Sequence, residues 1–222
     1  IDHTVYTVDL LGCGRSDKSS ITYTNFVYVQ MISDFIKKII GQKTDVIASG
    51  FSGSFVTMAC HNEKELFNKI MLVNPPSLTQ LKQMPNRKDR LLKAALEIPI
   101  FGTLVYHMIV SRDNINNLFI EKMYYNPFHV DNQMADAYYE AAHKGGYYTR
   151  FLYSSLAAKY ININICHALK ALDNSIYIVE GETEPNGKAV TDDYCASNPA
   201  IEVSVLKETK HLPHVEAPEA FL

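Results

Sequence analysis

Val, Tyr and Thr crowd residues 3–10, and the run stops at a glycine-containing turn at 11–16, as a buried strand does. Between 24 and 40 the spacing changes. Val27, Met31, Ile32, Phe35, Ile36, Ile39 and Ile40 recur at three- and four-residue steps, Lys37 and Lys38 fall on the far side, and Gly41 stands at the C-cap of the helix this predicts. Residues 45–49 read as a short strand, 54–60 as a helix directly behind it, and 69–73 as another strand that ends at Asn74-Pro75-Pro76. Strand, helix, strand, helix, strand predicts an α/β fold: a mostly parallel central sheet with flanking helices.

The rhythm breaks after Pro76. From about 78 to 156 no segment reads as a strand; helical patches at 87–97, 101–111, 115–125, 132–143 and 148–158 are cut by Pro99, Pro127 and Gly145-Gly146. This predicts an all-helical insertion at 78–156 within a core formed by 1–77 and 157–222. Tyr106, Met108, Met123, Tyr124, Tyr125, Tyr138 and Tyr139 either line an apolar pocket there or form plain helical core. The strand pattern resumes at 175–179, followed by the loop GETEPNG, a helix at 191–197 and a last strand at 201–206.

The length of 222 residues and a 47% hydrophobic content suit one large domain or two small ones. A net charge of -3 excludes the basic stripe that nucleic-acid binding requires. No apolar run reaches the roughly 18 residues of a membrane span, and the start lacks signal-peptide character, so a cytoplasmic protein is expected. Cys13, Cys60, Cys166 and Cys195 form no CxxC pair and read as free thiols, with two disulfides open only in a secreted protein. The eight histidines include no HExxH, so neither a metal nor any cofactor is expected.

The chemistry concentrates where a strand runs into GFSGS and then into a helix. Gly50 and Ser54, two before and two after Ser52, are small enough for a sharp strand-to-helix turn that would expose Ser52. The Gly53 N–H would then be the first oxyanion donor at the helix start. The same residues also suit an ordinary capping turn. A serine nucleophile needs a base and a carboxylate that orients the base. GETEP offers Glu182 and Glu184, and the segment near the end offers His211, with His214 three residues on.

Four segments in order resemble the α/β-hydrolase superfamily, specifically its serine hydrolases with a helical cap. DLLGCGRSDK resembles the loop after a central strand, DVIASGFSGSFV the nucleophile elbow, IYIVEGETEP the acid loop and KHLPHVEAPEAF the histidine loop. The resemblance spans the chain, with 78–156 in the place of the cap. It implies Ser52 as nucleophile, His211 as general base and acid, and Glu184 as orienting carboxylate, with Glu182 as the alternative. The family usually has Asp at that acid position and Gly where Lys210 stands. Asn74 sits where some members carry their acid. The early strands and the loop that supplies the second oxyanion donor have no counterpart before Ile1, and the chain stops one turn into a closing helix, so a record truncated at both ends is expected.

These features imply a hydrolase that cleaves a carboxylic ester or related acyl bond (thioester, amide or carbon-carbon) of a small, apolar substrate through an acyl-enzyme. The alternative is a non-catalytic ligand-binding protein on the same fold. The partner in either case is a small molecule; oligomeric state has no signature in the sequence.

Overall fold

The computed structural model describes residues 3–222. Four strands, β1 (Thr44–Ser49), β2 (Phe67–Val73), β3 (Ile176–Gly181) and β4 (Glu202–Leu206), form one parallel sheet in sequence order. Their registers bring Ser49 beside Val73, Val73 beside Val179, and Gly181 beside Leu206, so all four carboxyl ends lie along one edge. In open parallel sheets this is the edge where ligands bind. The inner strand β3 is buried along almost its whole length, as a strand covered on both faces must be.

The crossover helices supply the cover. Helix α1 (Asn25–Phe35) continues through a π-helical turn, Ile36–Ile40, and closes on Gly41, whose φ of 73° is the left-handed conformation a helix stop favours. Behind β1 comes α2 (Phe51–Asn62), which packs on α1; the rings of Tyr28 and Phe55 stack 4.9 Å apart. Ile70, Leu72, Ile176 and Ile178 from the sheet, with Phe55, Ala59, Ile165 and Leu169 from the helices, make one continuous core.

No strand occurs between β2 and β3. That stretch forms α3 (Leu78–Leu81), α4 (Arg87–Glu97), α5 (Phe101–Ile109), α6 (Arg112–Leu118) with a π-helical turn (Phe119–Met123), α7 (Asn132–His143) and α8 (Thr149–Ala157). Asn86 caps α4 reciprocally with Asp89. A smaller core of Ile115, Phe119, Tyr124 and Ala135 also takes in Leu212 from the far end of the chain. After α8 come α9 (Cys166–Ala171), α10 (Gly187–Ser197), α11 (Pro213–Glu216) and α12 (Pro218–Phe221). Among the described residues no single helix is long and apolar enough to cross a membrane.

The strand expected at 3–10 does not form. The segment has no ladder partner, and Val5 and Val8 are 80% and 47% exposed. A β-rich composition reports fit to a half-buried pleated surface and makes no strand without a neighbour to pair with. Its one aromatic contact is Tyr6 edge-on to Phe35. The loop that follows folds onto itself: the Asp9 carboxylate accepts the Arg15 N–H, and Lys18 Nζ donates to the carbonyls of Cys13, Gly14 and Ser16. DLLGCGRSDK is therefore a turn braced by its own side chains and tied to the rest of the chain by Tyr28 Oη, which donates to the Leu11 carbonyl at 3.0 Å.

Ile178 is fully buried in the inner strand, and Ile178→Ala is expected to cost about 2–5 kcal/mol of stability. Urea denaturation midpoints would check this; a loss under about 1 kcal/mol would mean that the sheet is not the centre of the core.

Candidate active site at the carboxyl edge of the sheet

The turn between β1 and α2 occupies one residue, Gly50, with φ 57° and ψ -132°. Such backbone is open essentially to glycine alone unless the surroundings enforce it. The Gly50 N–H donates to the Val73 carbonyl at 2.9 Å, which ties the turn to the end of β2. A Cβ built on Gly50 would meet nothing within 4 Å. The apex of the turn thus has backbone that would strain any residue with a Cβ, and open space around it, the two attributes of a nucleophile elbow.

Ser52 is not at that apex. It lies in the first turn of α2, and its hydroxyl donates to the Ser49 carbonyl at 2.6 Å. The physical reason is the length of β1: ladder pairing runs through Ser49, so the reversal falls on the next residue and Ser52 is already helical. Gly53 lies deeper still. Its N–H donates to the Gly50 carbonyl at 3.1 Å, and a Cβ there would press on Leu72 at 3.1 Å, so this glycine serves helix-to-sheet packing. The first-turn N–H groups of a helix lack intrahelical partners, and the one next to the apex belongs to Phe51.

His211 and Glu184 are brought together. His211 Nδ1 lies 3.1 Å from Glu184 Oε1, which leaves Nε2 as the ring nitrogen free for other chemistry. Glu184 occupies the turn after β3, and Gly181 lets the histidine loop approach, since a Cβ there would strike the Lys210 carbonyl. Glu182 points elsewhere: its carboxylate accepts the Glu208 N–H at 3.0 Å. His214 has its pKa lowered by burial and by the neighbouring His211.

These groups border a cavity of about 440 Å³ lined by Gly50, Phe51, Asn74 to Ser77, Gln80, Glu180, Glu184 to Gly187, Val190, Thr191 and His211. Ser52 is not among them. Nor is any of the tyrosines and methionines of the helical segment: Tyr106 and Tyr124 are buried in core, while Met108 is 71% exposed. Residues of helical spacing face each other across helices before they face a pocket, which is why Tyr106 and Tyr124 are core; Tyr125 and Tyr138, like Met108, are exposed. The lining contains no Lys or Arg. The described residues include no cluster of three or more His, Cys, Asp or Glu able to hold a metal ion.

Sequence reasoning missed Glu180. It is buried at 5% exposure, Gly187 has no Cβ to exclude it, and its Oε2 has no hydrogen-bond partner. Burial pushes its carboxyl above the ordinary carboxylate range; a hydrogen bond from Thr191 opposes the shift, and the charge of Glu184 adds to it. A charged residue in an apolar run, IYIVE, was the available signal.

The sequence model of the Alpha/beta hydrolase family matches residues 2–222, and the chain belongs to that family. Its structure is similar to a carboxylesterase from Nitrososphaera gargenis (15% identity, TM-score 0.66, covering 96% of this chain and 75% of the other). It is also similar to 2-hydroxy-6-oxo-6-phenylhexa-2,4-dienoate hydrolase from a Rhodococcus species (16%, 0.71, 96% and 75%) and to an esterase from Exiguobacterium antarcticum (13%, 0.70, 96% and 76%). At these identities the likeness is one of fold. No curated protein sequence matches the chain.

The raised pKa of Glu180 has a signed consequence. Its contribution to stability is complete below the ordinary glutamate value of about 4.3 and is lost as pH rises through the higher folded value. Glu180→Gln should remove that loss: the variant gains on the wild type in denaturation midpoint as pH rises above about 4.3. Parallel pH profiles would contradict the raised pKa of Glu180.

Proposed function

We propose that this chain is a hydrolase in which the His211–Glu184 pair activates water at Gly50, without a serine nucleophile. The observation that carries the reading is the apex of the elbow: a glycine stands there, lining the same cavity as an oriented imidazole, with open space where a side chain would be. His211 Nε2 would take a proton from water, and the hydroxide would attack the carbonyl carbon of an ester or related acyl bond. The Phe51 N–H would hold the resulting oxyanion. The imidazolium would then return the proton to the leaving group as the carbon-heteroatom bond breaks, giving acid and alcohol. In this reading residues 78–156 form the cap over a core of 1–77 and 157–222. With Glu184 in the lining and no Lys or Arg, the site suits a neutral or cationic small molecule rather than a carboxylate.

An acyl-enzyme through Ser52, which the GxSxS spacing suggests, would require its hydroxyl to leave the Ser49 carbonyl and the first turn of α2 to unwind. A second reading, a ligand-binding protein without turnover, is favoured by the same glycine at the apex.

A panel of neutral nitrophenyl esters tests these readings together with fluorophosphonate labelling. Water activation predicts that His211→Ala loses about 10²–10⁴-fold in kcat while Ser52→Ala stays within about twofold, with no adduct on the wild type. Gly50→Ser, which places a hydroxyl in the open apex, should acquire an adduct. An adduct on wild-type Ser52 would overturn the proposal. Ligand binding in the cavity with no turnover of any ester would establish the second reading.

A further inference from the structure

Asn74 follows β2 with φ 42°, a left-handed conformation that Asn tolerates better than most residues. Its backbone N–H continues the ladder to the Val179 carbonyl at 3.0 Å. Its side chain is 6% exposed and fully engaged. Nδ2 donates to the carbonyls of both Lys210 and His211, each at 2.9 Å, and Oδ1 accepts the Gly181 N–H at 3.1 Å. A planar amide with two N–H donors and one acceptor oxygen matches two carbonyls and one N–H. Aspartate has the same shape and only acceptors.

We infer that Asn74 is the positioning residue for His211: it joins the ends of β2 and β3 to the histidine loop and so sets the imidazole at hydrogen-bond distance from Glu184. The inference rests on reading His211–Glu184 as the working pair. On the other side of the loop the His211 N–H donates to the Met123 carbonyl at 3.1 Å, at the end of the π-helical turn. The loop is therefore held from the sheet by its carbonyls and from the helical segment by its N–H. Loss of the sheet-side pair would leave the His211 backbone with its Met123 bond alone, while the Thr209 carbonyl, which accepts from Thr183, would still tie the loop to the turn after β3. A shift of about 1 Å at its Cα is enough to break a 3.1 Å contact to Glu184.

The tautomer of His211 reads this directly and needs no substrate. With Nδ1 facing a carboxylate, the neutral ring should carry its proton on Nδ1, a state that long-range ¹H–¹⁵N spectra distinguish from the Nε2–H form preferred by a free imidazole. His211→Ala assigns the signal. Asn74→Asp keeps the acceptor for Gly181 and places oxygen against two carbonyls. It should shift the neutral ring toward the Nε2–H form and lower kcat at least tenfold with KM little changed. If that variant does not fold, Asn74→Ser, which is too short to reach both carbonyls, carries the same readout. A folded variant that keeps the Nδ1–H tautomer would overturn the role of Asn74 and leave the pair standing. A wild type without that tautomer would overturn the pair and the inference together.

Discussion

One hydrogen bond, from the Gly50 N–H to the Val73 carbonyl, sets the frame of the site. It extends the β1–β2 ladder one residue past Ser49 and leaves a single residue in which the chain must reverse into α2. The reversal demands positive φ, and glycine meets that demand without strain from a Cβ. Everything nearby follows in register: Phe51 at the helix start beside the cavity, Ser52 turned onto the Ser49 carbonyl, and Gly53 under Leu72. Moving the apex by two residues would require β1 to lengthen by two, and β2 has already reached Asn74-Pro75, where proline ends any ladder.

This explains which parts of the molecule were legible in the sequence. Helices at 87–97 and 132–143 match to the residue, because Asn86 and Asp131 are side-chain caps and the sequence marks such starts. The parallel sheet was legible because short apolar strands alternated with helical spacing. The segment 3–10 misled because propensity says what a residue suits, while a strand also needs a neighbour's backbone. His211 and Glu184 were singled out by their order along the chain, and the fold brings their side chains to 3.1 Å.

The elbow was misplaced by two residues for a definite reason. Small residues flank Ser52 at 50 and 54, and they flank Gly50 equally well, as Ala48 and Ser52. Spacing alone does not choose between the two frames, and looking for a hydroxyl at the centre selected the one with serine. The discriminating information is where β1 stops, which depends on pairing with β2 and so on contacts some twenty residues away along the chain. The sequence singled out Asn74 but not its bonding, since its three side-chain bonds reach Gly181, Lys210 and His211, none of them local.

Glu180 shows how the same edge carries polarity. A carboxyl at the end of an inner strand has few ways to be solvated, and here it lies against Gly187 at the start of α10, with one oxygen unpartnered. Keeping a proton is the inexpensive response to burial, and a nearby Glu184 makes ionisation harder still. A protonated carboxyl can donate where an ionised one cannot. The cavity thus pairs a carboxyl on β3 that holds its proton more readily than an ordinary glutamate with a carboxylate-oriented imidazole on the loop after β4, so polar groups face a ligand from one edge of the sheet. A ligand carboxylate would find Glu184 there and no Lys or Arg to offset it, whereas an ester, amide or amine would not meet that repulsion.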